Sequence, residues 1–423
     1  MAVAARVALL VGTVHLPLLN DPADYHRLAV SLAGGHGFGT TVVAPGGGPT
    51  AFRPPLWPLF LGGIYTLVGD HVLVARGVEV VLGLFTVGLV GALAFRLATS
   101  SGRDGRRTAL VAMALAAVYP PLLLAGGSLL SESLSLPLEL GSLLVASVAP
   151  PARRPVRWCA LVGILCGLDI LCRPDSFILL VPAALLACRR PPVADRRNRV
   201  QAVSVRAAVL VGAAGLTVTP WLVRDAVVMG RFVPVTTQGG LVASGTYNDA
   251  AAHDPLHPAA WRPTNLVPEY RHLLRGTEVQ EEAALRAATL HYIRAHPAYP
   301  LRVAGWNLVR LFDLNGVADA RASWGANGFS PGVADLDTFG LLALAALAAG
   351  GAARLVVRAR RRGWPTSAAA VDSPDPGIGS RPWALWLAPV LLALATVPVL
   401  GESRLRLGID PFLVLLAARV LVL

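Results

Sequence analysis

The stretch VLVARGVEVVLGLFTVGLVGALAFRLA, residues 72–98, decides the fold class of this protein. It is longer than the roughly 20 apolar residues that an α-helix needs to cross the hydrocarbon core of a bilayer. Further apolar runs lie at 2–19, 108–125, 128–148, 158–171, 176–188, 207–225, 336–356, 381–400 and 405–423. The sequence therefore predicts an all-α polytopic membrane protein with about ten transmembrane helices.

The composition excludes an ordinary soluble protein. Hydrophobic residues make up 54% of the 423 positions, charged residues only 15%, and the mean hydropathy is +0.59. So few charges could not cover the surface of a soluble domain. The net charge is +12, but the arginines cluster in short segments between apolar runs, at 103–107, 153–157, 189–206 and 358–362. This pattern is typical of cytosolic loops, not of a nucleic-acid-binding surface.

The topology depends on one ambiguous segment, PLWPLFLGGIYTLVG at 55–69. If this segment does not cross the membrane and the N-terminus is cytosolic, all four basic segments lie in the cytosol, as the positive-inside rule requires. We therefore predict an interfacial or re-entrant helix here, with both chain ends inside. The first apolar run lacks a clear small-residue cleavage site and is predicted to be a retained span.

Three regions follow from this topology. Residues 1–225 form a transmembrane module whose first outer loop carries the candidate active site. Residues 226–335 form an extracytoplasmic region, in which a capping box at Thr277 and Gln280 predicts a helix that ends before Pro297. An amphipathic interfacial helix is predicted at 301–312. Residues 336–423 contain the C-terminal transmembrane helices and a cytosolic linker at 358–380.

The sequence predicts no metal site and no nucleotide motif. The cysteines lie in or beside apolar segments without a CxxC pair, which favours simple core packing: Cys159, Cys166, Cys172 and Cys188. His253 and His257 form an HxxxH pattern in a Pro-rich loop, without the helix and glutamate of a zinc protease. No cofactor is predicted, and the sequence leaves a requirement for a divalent metal open.

Charged side chains at the outer ends of membrane spans are costly and therefore mark candidate sites. The first candidates are Asp21 and Asp24 in NDPADY, just after the first span. A carboxylate held there could act as general base on an acceptor hydroxyl. Helix capping is the simpler explanation, because Asp21 followed by Pro22 resembles an N-cap with proline at the first helical position.

Other charged candidates lie farther along the chain. Arg53 and Arg224 could contact phosphate or extend to the membrane interface. Glu132 could orient a substrate or stabilise a helix N-terminus, and Arg173 could simply pair with Asp175.

The strongest candidate is the segment ESRLR at 402–406, between the last two spans. Arg404 and Arg406 lie there on the outer side, against the positive-inside rule. A guanidinium group binds phosphate oxygens through forked, charge-assisted hydrogen bonds. The sequence therefore predicts a phosphate-binding site here.

Six blocks in this order resemble the GT-C superfamily of membrane glycosyltransferases, and most closely its protein-mannosyltransferase and aminoarabinose-transferase-like branch. They are DPADYHRLAVSLAGGHGF (21–38), FRPPLWPLFL (52–61), LSESLSL (130–136), CRPD (172–175), PWLVRDAVVMGRFVPVTTQGG (220–240) and GESRLRLGIDP (401–411). The blocks extend over nearly the whole chain. Two departures are Pro22, where the family often has an acidic or aromatic residue, and Leu405, where it often has tyrosine.

The resemblance implies an inverting transferase that uses a polyprenyl-phosphate sugar at the extracytoplasmic face. It implies that Asp21 is the general base, with Asp24 as the second choice, and that Arg404 and Arg406 hold the lipid phosphate. Arg53, Glu132, Arg173 and Arg224 are then expected to shape the site. The expected partners are the lipid donor, the bilayer and an acceptor that is a protein, a lipid or a wall glycan, with no nucleic acid.

Two other classes of function remain open. A transporter or flippase of lipid-linked sugars would need polar groups at the bilayer midplane or repeated halves with broken helices, whereas these charges lie at the outer boundary and no repeat is evident. A non-catalytic protein that binds lipid phosphate would keep the arginines and tolerate loss of Asp21. The frequent use of Ala, Val, Leu, Arg and Gly suggests a GC-rich bacterial genome and hence the plasma membrane.

Overall fold

The computed structural model describes residues 1–39, 41, 48–98, 102–148, 154–188, 196–362 and 382–423. These residues form helices and loops, with no β-strand, so the predicted all-α class is confirmed. The α-helices in chain order are α1 (Ala2–Gly12), α2 (Asn20–Ala33), α3 (Leu56–Val68), α4 (Val72–Leu97), α5 (Gly102–Val118), α6 (Pro120–Ala125), α7 (Glu132–Ser147), α8 (Pro155–Cys172), α9 (Leu180–Ala187), α10 (Arg196–Met229), α11 (Gln238–Thr246), α12 (Asp249–Ala252), α13 (Glu278–Ala295), α14 (Tyr299–Leu311), α15 (Ala318–Gly325), α16 (Pro331–Arg362), α17 (Pro382–Thr396) and α18 (Asp410–Val422). Short 3-10 helices lie at Pro174–Leu179, Thr264–Leu266, Pro268–Leu273 and Ser403–Gly408.

The predicted number of spans is not confirmed. Within the described residues, 4 helical segments are long and apolar enough to cross a membrane: Val72–Leu97, Pro155–Cys172, Arg197–Met229 and Pro331–Val357. Several predicted spans contain shorter helices instead. The run at 108–125 is divided between α5 and α6, because Pro120 has no N–H to continue the helix. The first run contains only α1, which ends at Gly12.

Small residues bring the long helices together. A Cβ atom added to Gly163 of α8 would lie 2.1 Å from the carbonyl oxygen of Leu210 in α10. A Cβ at Gly167 would lie 2.8 Å from the carbonyl oxygen of Ala214, one turn farther along. The two helices therefore cross at backbone contact, which is the packing that glycine permits between membrane helices.

Helices α2 and α3 form a pair that positions the first candidate residues. Tyr25 of α2 and Trp57 and Leu61 of α3 are buried in the main core. A Cβ at Gly62 would lie 2.9 Å from the Cβ of Leu32, so the two helices also approach closely. At about 1.5 Å per residue, α3 is too short to cross a hydrocarbon core of roughly 30 Å.

The region between α10 and α16 is mostly helical. The predicted capping box is present at the start of α13, where the backbone N–H of Thr277 donates to Oε1 of Gln280 over 2.9 Å. Helix α14 covers most of the predicted amphipathic segment, and its Leu301 and Leu308 are exposed. Residues 363–380 of the predicted linker lie outside the described residues.

Candidate functional site

Charged side chains from five separate segments meet beside the first turn of α2. They come from α2, the loop before α3, the start of α7, the end of α8 and the 3-10 helix at 403–408. We call this group the charge cluster, and its members are Asp21, Asp24, Arg53, Glu132, Arg173 and Arg404. The structure thus brings together six of the eight residues that the sequence singled out.

Asp21 lies at the centre of the charge cluster. Its Oδ1 is 2.6 Å from Nη2 of Arg53, and its Oδ2 accepts a hydrogen bond of 2.8 Å from Nη2 of Arg404. Burial alone would raise the pKa of the Asp21 carboxyl, but the two guanidinium groups outweigh burial and hold this pKa well below its usual range. Asp21 is therefore a carboxylate whose two oxygens both contact a cation.

Asp24 has a different environment, although it lies one turn away on the same helix. It is fully buried, and its Oδ2 accepts hydrogen bonds from Nε and Nη2 of Arg53 over 3.0 and 2.8 Å. Its Oδ1 accepts from Arg27 over 2.6 Å. The Arg53 guanidinium also lies 5.5 Å from the ring centroid of Tyr25 and 4.8 Å from that of Phe52. Asp24 and the two rings together fix the orientation of Arg53.

Glu132 and Arg173 form the second part of the charge cluster. Nη1 of Arg173 donates to Oε1 of Glu132 over 2.6 Å, and its Nη2 donates to Asp175 over 3.2 Å. The expected Arg173–Asp175 pair is thus present, but the shorter contact is with Glu132. The same Glu132 oxygen is 3.9 Å from Nε of Arg404. Glu132 therefore lies between two arginines.

Arg404 reaches the charge cluster from the 3-10 helix near the C-terminus. Besides Asp21, it contacts Asn327, whose Oδ1 accepts from Nη1 over 3.2 Å. Its buried Nε has no hydrogen-bond partner among the described residues. Nearby, Glu402 accepts from Ser323 over 3.3 Å, and burial raises the pKa of Glu402 while Arg404 offsets part of this effect. Asn327 and Ser323 carry no motif, and the sequence did not predict them.

Arg224 does not join the charge cluster. Its Nη1 donates to the carbonyl oxygen of Thr50 over 2.6 Å, and its Nη2 donates to that of Phe38 over 3.1 Å. The guanidinium lies 5.5 Å from the ring centroid of Phe38 and 4.8 Å from that of Trp221. Arg224 therefore holds the backbone at Phe38 and at Thr50, three residues before Arg53.

Arg406 is also outside the charge cluster, and its predicted phosphate contact does not agree with its surroundings. Its side chain is fully buried, and each guanidinium nitrogen contacts a carboxylate. The partners are Asp410 (Nε, 3.0 Å), Asp313 (Nη1, 3.0 Å) and Asp337 (Nη2, 2.9 Å). Residues i and i+2 of a 3-10 helix point in different directions, so Arg404 faces the cluster while Arg406 faces the protein interior.

Glu278 is a residue that the sequence analysis did not single out. It is the first residue of α13, where an acidic side chain is expected simply to stabilise the helix N-terminus. In the structure its Oε2 accepts from Thr50 Oγ1 over 2.6 Å, and its Oε1 accepts from the N–H of Ala51 over 2.9 Å and from Thr237 Oγ1 over 2.6 Å. Glu278 thereby fixes the backbone two residues before Arg53.

Groups suited to metal binding are absent from the part of the chain that the structure describes. No set of three or more His, Cys, Asp or Glu side chains is arranged there to hold a metal ion. The cysteines are free and buried: Cys159, Cys166, Cys172 and Cys188. The ionisable groups of the charge cluster are carboxylates and guanidinium groups.

Comparison with known proteins bears on this site. Residues 52–223 match the family model described as dolichyl-phosphate-mannose-protein mannosyltransferase. The resemblance to GT-C glycosyltransferases is confirmed. The matched stretch is less than half of the chain, but it includes Arg53, Glu132 and Arg173.

Two solved structures are similar to the chain. One is the archaeal oligosaccharyltransferase AglB from Archaeoglobus fulgidus in complex with an inhibitory peptide and a dolichol-phosphate, with a TM-score of 0.49 and 15% identity over 99% of this chain and 50% of that chain. The other is an Archaeoglobus fulgidus oligosaccharyltransferase tethered to an acceptor peptide, with a TM-score of 0.34 and 13% identity over 99% of this chain and 55% of that one. The protein thus spans about half the length of these structures. No curated protein matches its sequence.

Proposed function

We propose that this protein is an integral membrane glycosyltransferase that moves a sugar from a polyprenyl-phosphate donor to an acceptor at the extracytoplasmic face. The observation that carries the proposal is the contact of Asp21 with Arg404 and Arg53 in one cluster. A carboxylate next to cations is the set of groups that an inverting transfer from a lipid phosphate needs. The family match over residues 52–223 supports the transferase class.

The reaction is a single displacement at the anomeric carbon of the sugar. The acceptor oxygen forms a bond to this carbon, while the bond between the carbon and the phosphate oxygen breaks. The electron pair of the broken bond stays on the polyprenyl phosphate, and the proton of the acceptor hydroxyl passes to the Asp21 carboxylate. Attack from the face opposite the phosphate inverts the anomeric configuration.

The arginines stabilise the leaving group in this scheme. Negative charge develops on the phosphate oxygen as the bond breaks, and a single hydrogen-bond donor at such a position is worth roughly 2.7–4 kcal/mol. Arg404 is suited to this role because its Nε has no hydrogen-bond partner among the described residues. Arg53 and Arg173 add positive charge on either side of it. The bilayer supplies the lipid donor, and the acceptor is a protein, a lipid or a wall glycan.

Asp21 is the general base in this proposal, and its environment sets the timing of proton transfer. The two arginines lower the pKa of Asp21, which makes it a weak base. It therefore accepts the proton late, after bond formation has made the acceptor oxygen acidic. Arg404 must also release Asp21 in order to bind the phosphate. Oδ2 of Asp21 is then free to contact the acceptor hydroxyl. Asp24 keeps Arg53 in place and is not the base.

The proposed arrangement in the membrane follows from the basic segments. With both ends and the four arginine-rich segments in the cytosol, the charge cluster faces the extracytoplasmic side of a bacterial plasma membrane. Residues 1–225 then form the catalytic transmembrane module, residues 226–335 cover it from outside, and residues 336–423 add the C-terminal helices that carry Arg404.

The proposal is tested by measuring release of radiolabelled sugar from a panel of polyprenyl-phosphate sugars, in membranes that contain the wild type or Asp21→Asn. We expect release by the wild type and a loss of about 10²–10⁴-fold in the variant, the usual range for general-base catalysis. Asp70→Asn is the matched control, because Asp70 is exposed in the loop between α3 and α4.

Three outcomes would contradict the proposal in different ways. Unchanged release by Asp21→Asn would exclude Asp21 as the base. No release by the wild type, together with donor binding that Arg404→Ala abolishes, would indicate a binding protein without transferase activity. Movement of the intact donor across vesicle membranes without cleavage would indicate a flippase.

A further inference from the structure

A small pocket adjoins the charge cluster and extends along α7. Glu132 and Arg173 of the charge cluster line it, together with Leu405 and Gly408 of the 3-10 helix at 403–408. Its free space corresponds to roughly one or two water molecules. The pocket therefore shares residues with the candidate site and has room for a small polar group.

One face of α7 lines this pocket with polar groups. Glu132, Ser135, Leu136 and Glu139 all contribute to the lining. Their spacing of three, four and seven residues is the helical repeat that puts side chains on one face. The polar lining thus continues inward from the charge cluster for two helical turns.

Glu139 lines the pocket two helical turns from Glu132, and its carboxyl group is not fully hydrogen-bonded. Its side chain is about 97% buried, since its relative exposure is 3%, and its Oε1 has no hydrogen-bond partner in the described part of the chain. A Cβ atom at Gly408 would lie 3.2 Å from Oε2 of Glu139, so glycine at this position leaves space beside the carboxyl group. A buried carboxyl oxygen without a partner is costly, and a ligand that supplies a hydrogen bond would remove that cost.

We propose that this pocket binds a hydroxyl or hydroxymethyl group of the donor sugar, and that Glu139 determines specificity for it. The inference rests on the proposed function and adds a subsite to it. A hydroxymethyl group has two non-hydrogen atoms, which matches the space available. A hydroxyl group both donates and accepts hydrogen bonds, so it satisfies the Glu139 carboxyl in either protonation state.

The position of the pocket fits the proposed reaction. Leu405 and Arg173 connect it to the groups that would hold the phosphate, so the anomeric carbon would lie near Asp21 and Arg404. The far side of the sugar ring would then point toward Ser135 and Glu139. A ligand without a hydroxyl group there would leave Glu139 unpaired and bind more weakly.

The test compares binding of three probes to the purified full-length protein in detergent: polyprenyl-phosphate mannose, polyprenyl-phosphate glucose and polyprenyl phosphate without sugar. We expect the wild type to bind at least one sugar-bearing lipid roughly tenfold more tightly than the bare lipid phosphate. Glu139→Leu should remove this preference and leave the affinity for bare lipid phosphate unchanged.

Two further variants separate recognition from folding. Glu139→Gln keeps the shape and the hydrogen-bonding capacity, so it should retain most of the preference. Glu79→Gln is the matched control, because Glu79 is another fully buried glutamate and lines a different cavity. The Glu79→Gln variant should prefer the sugar-bearing lipid over the bare lipid phosphate to the same degree as the wild type.

The outcomes distinguish this inference from the proposed function. Equal wild-type affinity for lipids with and without sugar, or a preference that survives Glu139→Leu, would overturn the subsite and leave the transferase proposal standing. Absence of binding for all three probes would overturn the lipid-phosphate proposal and the subsite with it.

Discussion

Asp21 and Arg404 are 383 positions apart in the sequence, yet Nη2 of Arg404 donates a hydrogen bond of 2.8 Å to Oδ2 of Asp21. This contact joins the first turn of α2 to the 3-10 helix at 403–408, near the two ends of the chain. Each group neutralises the other in the ligand-free protein. In the proposed reaction, a phosphate group that binds Arg404 would free Oδ2 of Asp21, so donor binding would be coupled to activation of the base.

The first prediction concerns the strength of this ion pair. In a double-mutant cycle with Asp21→Asn and Arg404→Gln, we expect a coupling free energy of about 0.5–3 kcal/mol, because the residues are in direct contact and largely shielded from water. The measurement is the free energy of unfolding in detergent for the four proteins of the cycle. Arg321 and Asp335 are the control pair. They are 2.6 Å apart, but the Arg321 side chain is 49% exposed, against 13% for Arg404, so their coupling should be smaller. Additive effects of the two cluster substitutions would contradict the structure.

The second prediction concerns Glu402 and pH. Burial raises the pKa of Glu402 above its unfolded value of about 4.3. The folded state therefore binds more protons than the unfolded state between these two pKa values, so this contribution to stability is complete below the unfolded pKa and is lost as pH rises through the folded pKa. Glu402→Gln should raise the melting temperature relative to the wild type more at about pH 7 than at about pH 4. The same difference at both pH values would show that Glu402 does not titrate in this range.

The third prediction compares two substitutions in the buried ion group around Arg406. Arg406 is surrounded by three carboxylates, those of Asp313, Asp337 and Asp410. Arg406→Leu leaves all three without their cation and should destabilise the protein by about 3–5 kcal/mol. Asp337→Asn removes one excess negative charge and should have a much smaller effect. Both are measured by thermal unfolding in detergent. A larger loss for Asp337→Asn than for Arg406→Leu would contradict this account.

The fourth prediction concerns the contact between α13 and the loop that carries Arg53. Glu278→Ala removes three accepted hydrogen bonds and should destabilise the loop at 48–53 by about 1–3 kcal/mol. Arg53 should then lose its position, so sugar transfer should fall although Glu278 touches no member of the charge cluster.

Two comparisons distinguish this positioning role from general loss of structure. Limited proteolysis at 48–53 should become faster in Glu278→Ala, whereas Glu281→Ala, in the same helical turn, should behave like the wild type. The fall in transfer should appear mainly in kcat, because Arg404 still binds the phosphate. Unchanged proteolysis in Glu278→Ala would exclude the proposed contact.

The amino-acid sequence determined those features that depend on neighbouring residues. Long apolar runs produced the all-α class, because a backbone in lipid must satisfy its hydrogen bonds within each helix. The capping box at Thr277 and the end of α13 before Pro297 depend on residues within one helical turn. The charged residues beside the apolar runs could likewise be identified from hydropathy alone.

The tertiary structure alone decided which of these charges meet. Arg404 and Arg406 are two positions apart and have the same side chain, but one joins the charge cluster and the other is enclosed by carboxylates. Asp24 fixes Arg53, and Glu278 holds a loop more than two hundred positions away. Ion pairs and buried hydrogen bonds of this kind depend on the direction of each side chain and on how helices from distant segments pack. Hydropathy and local spacing contain no information on either.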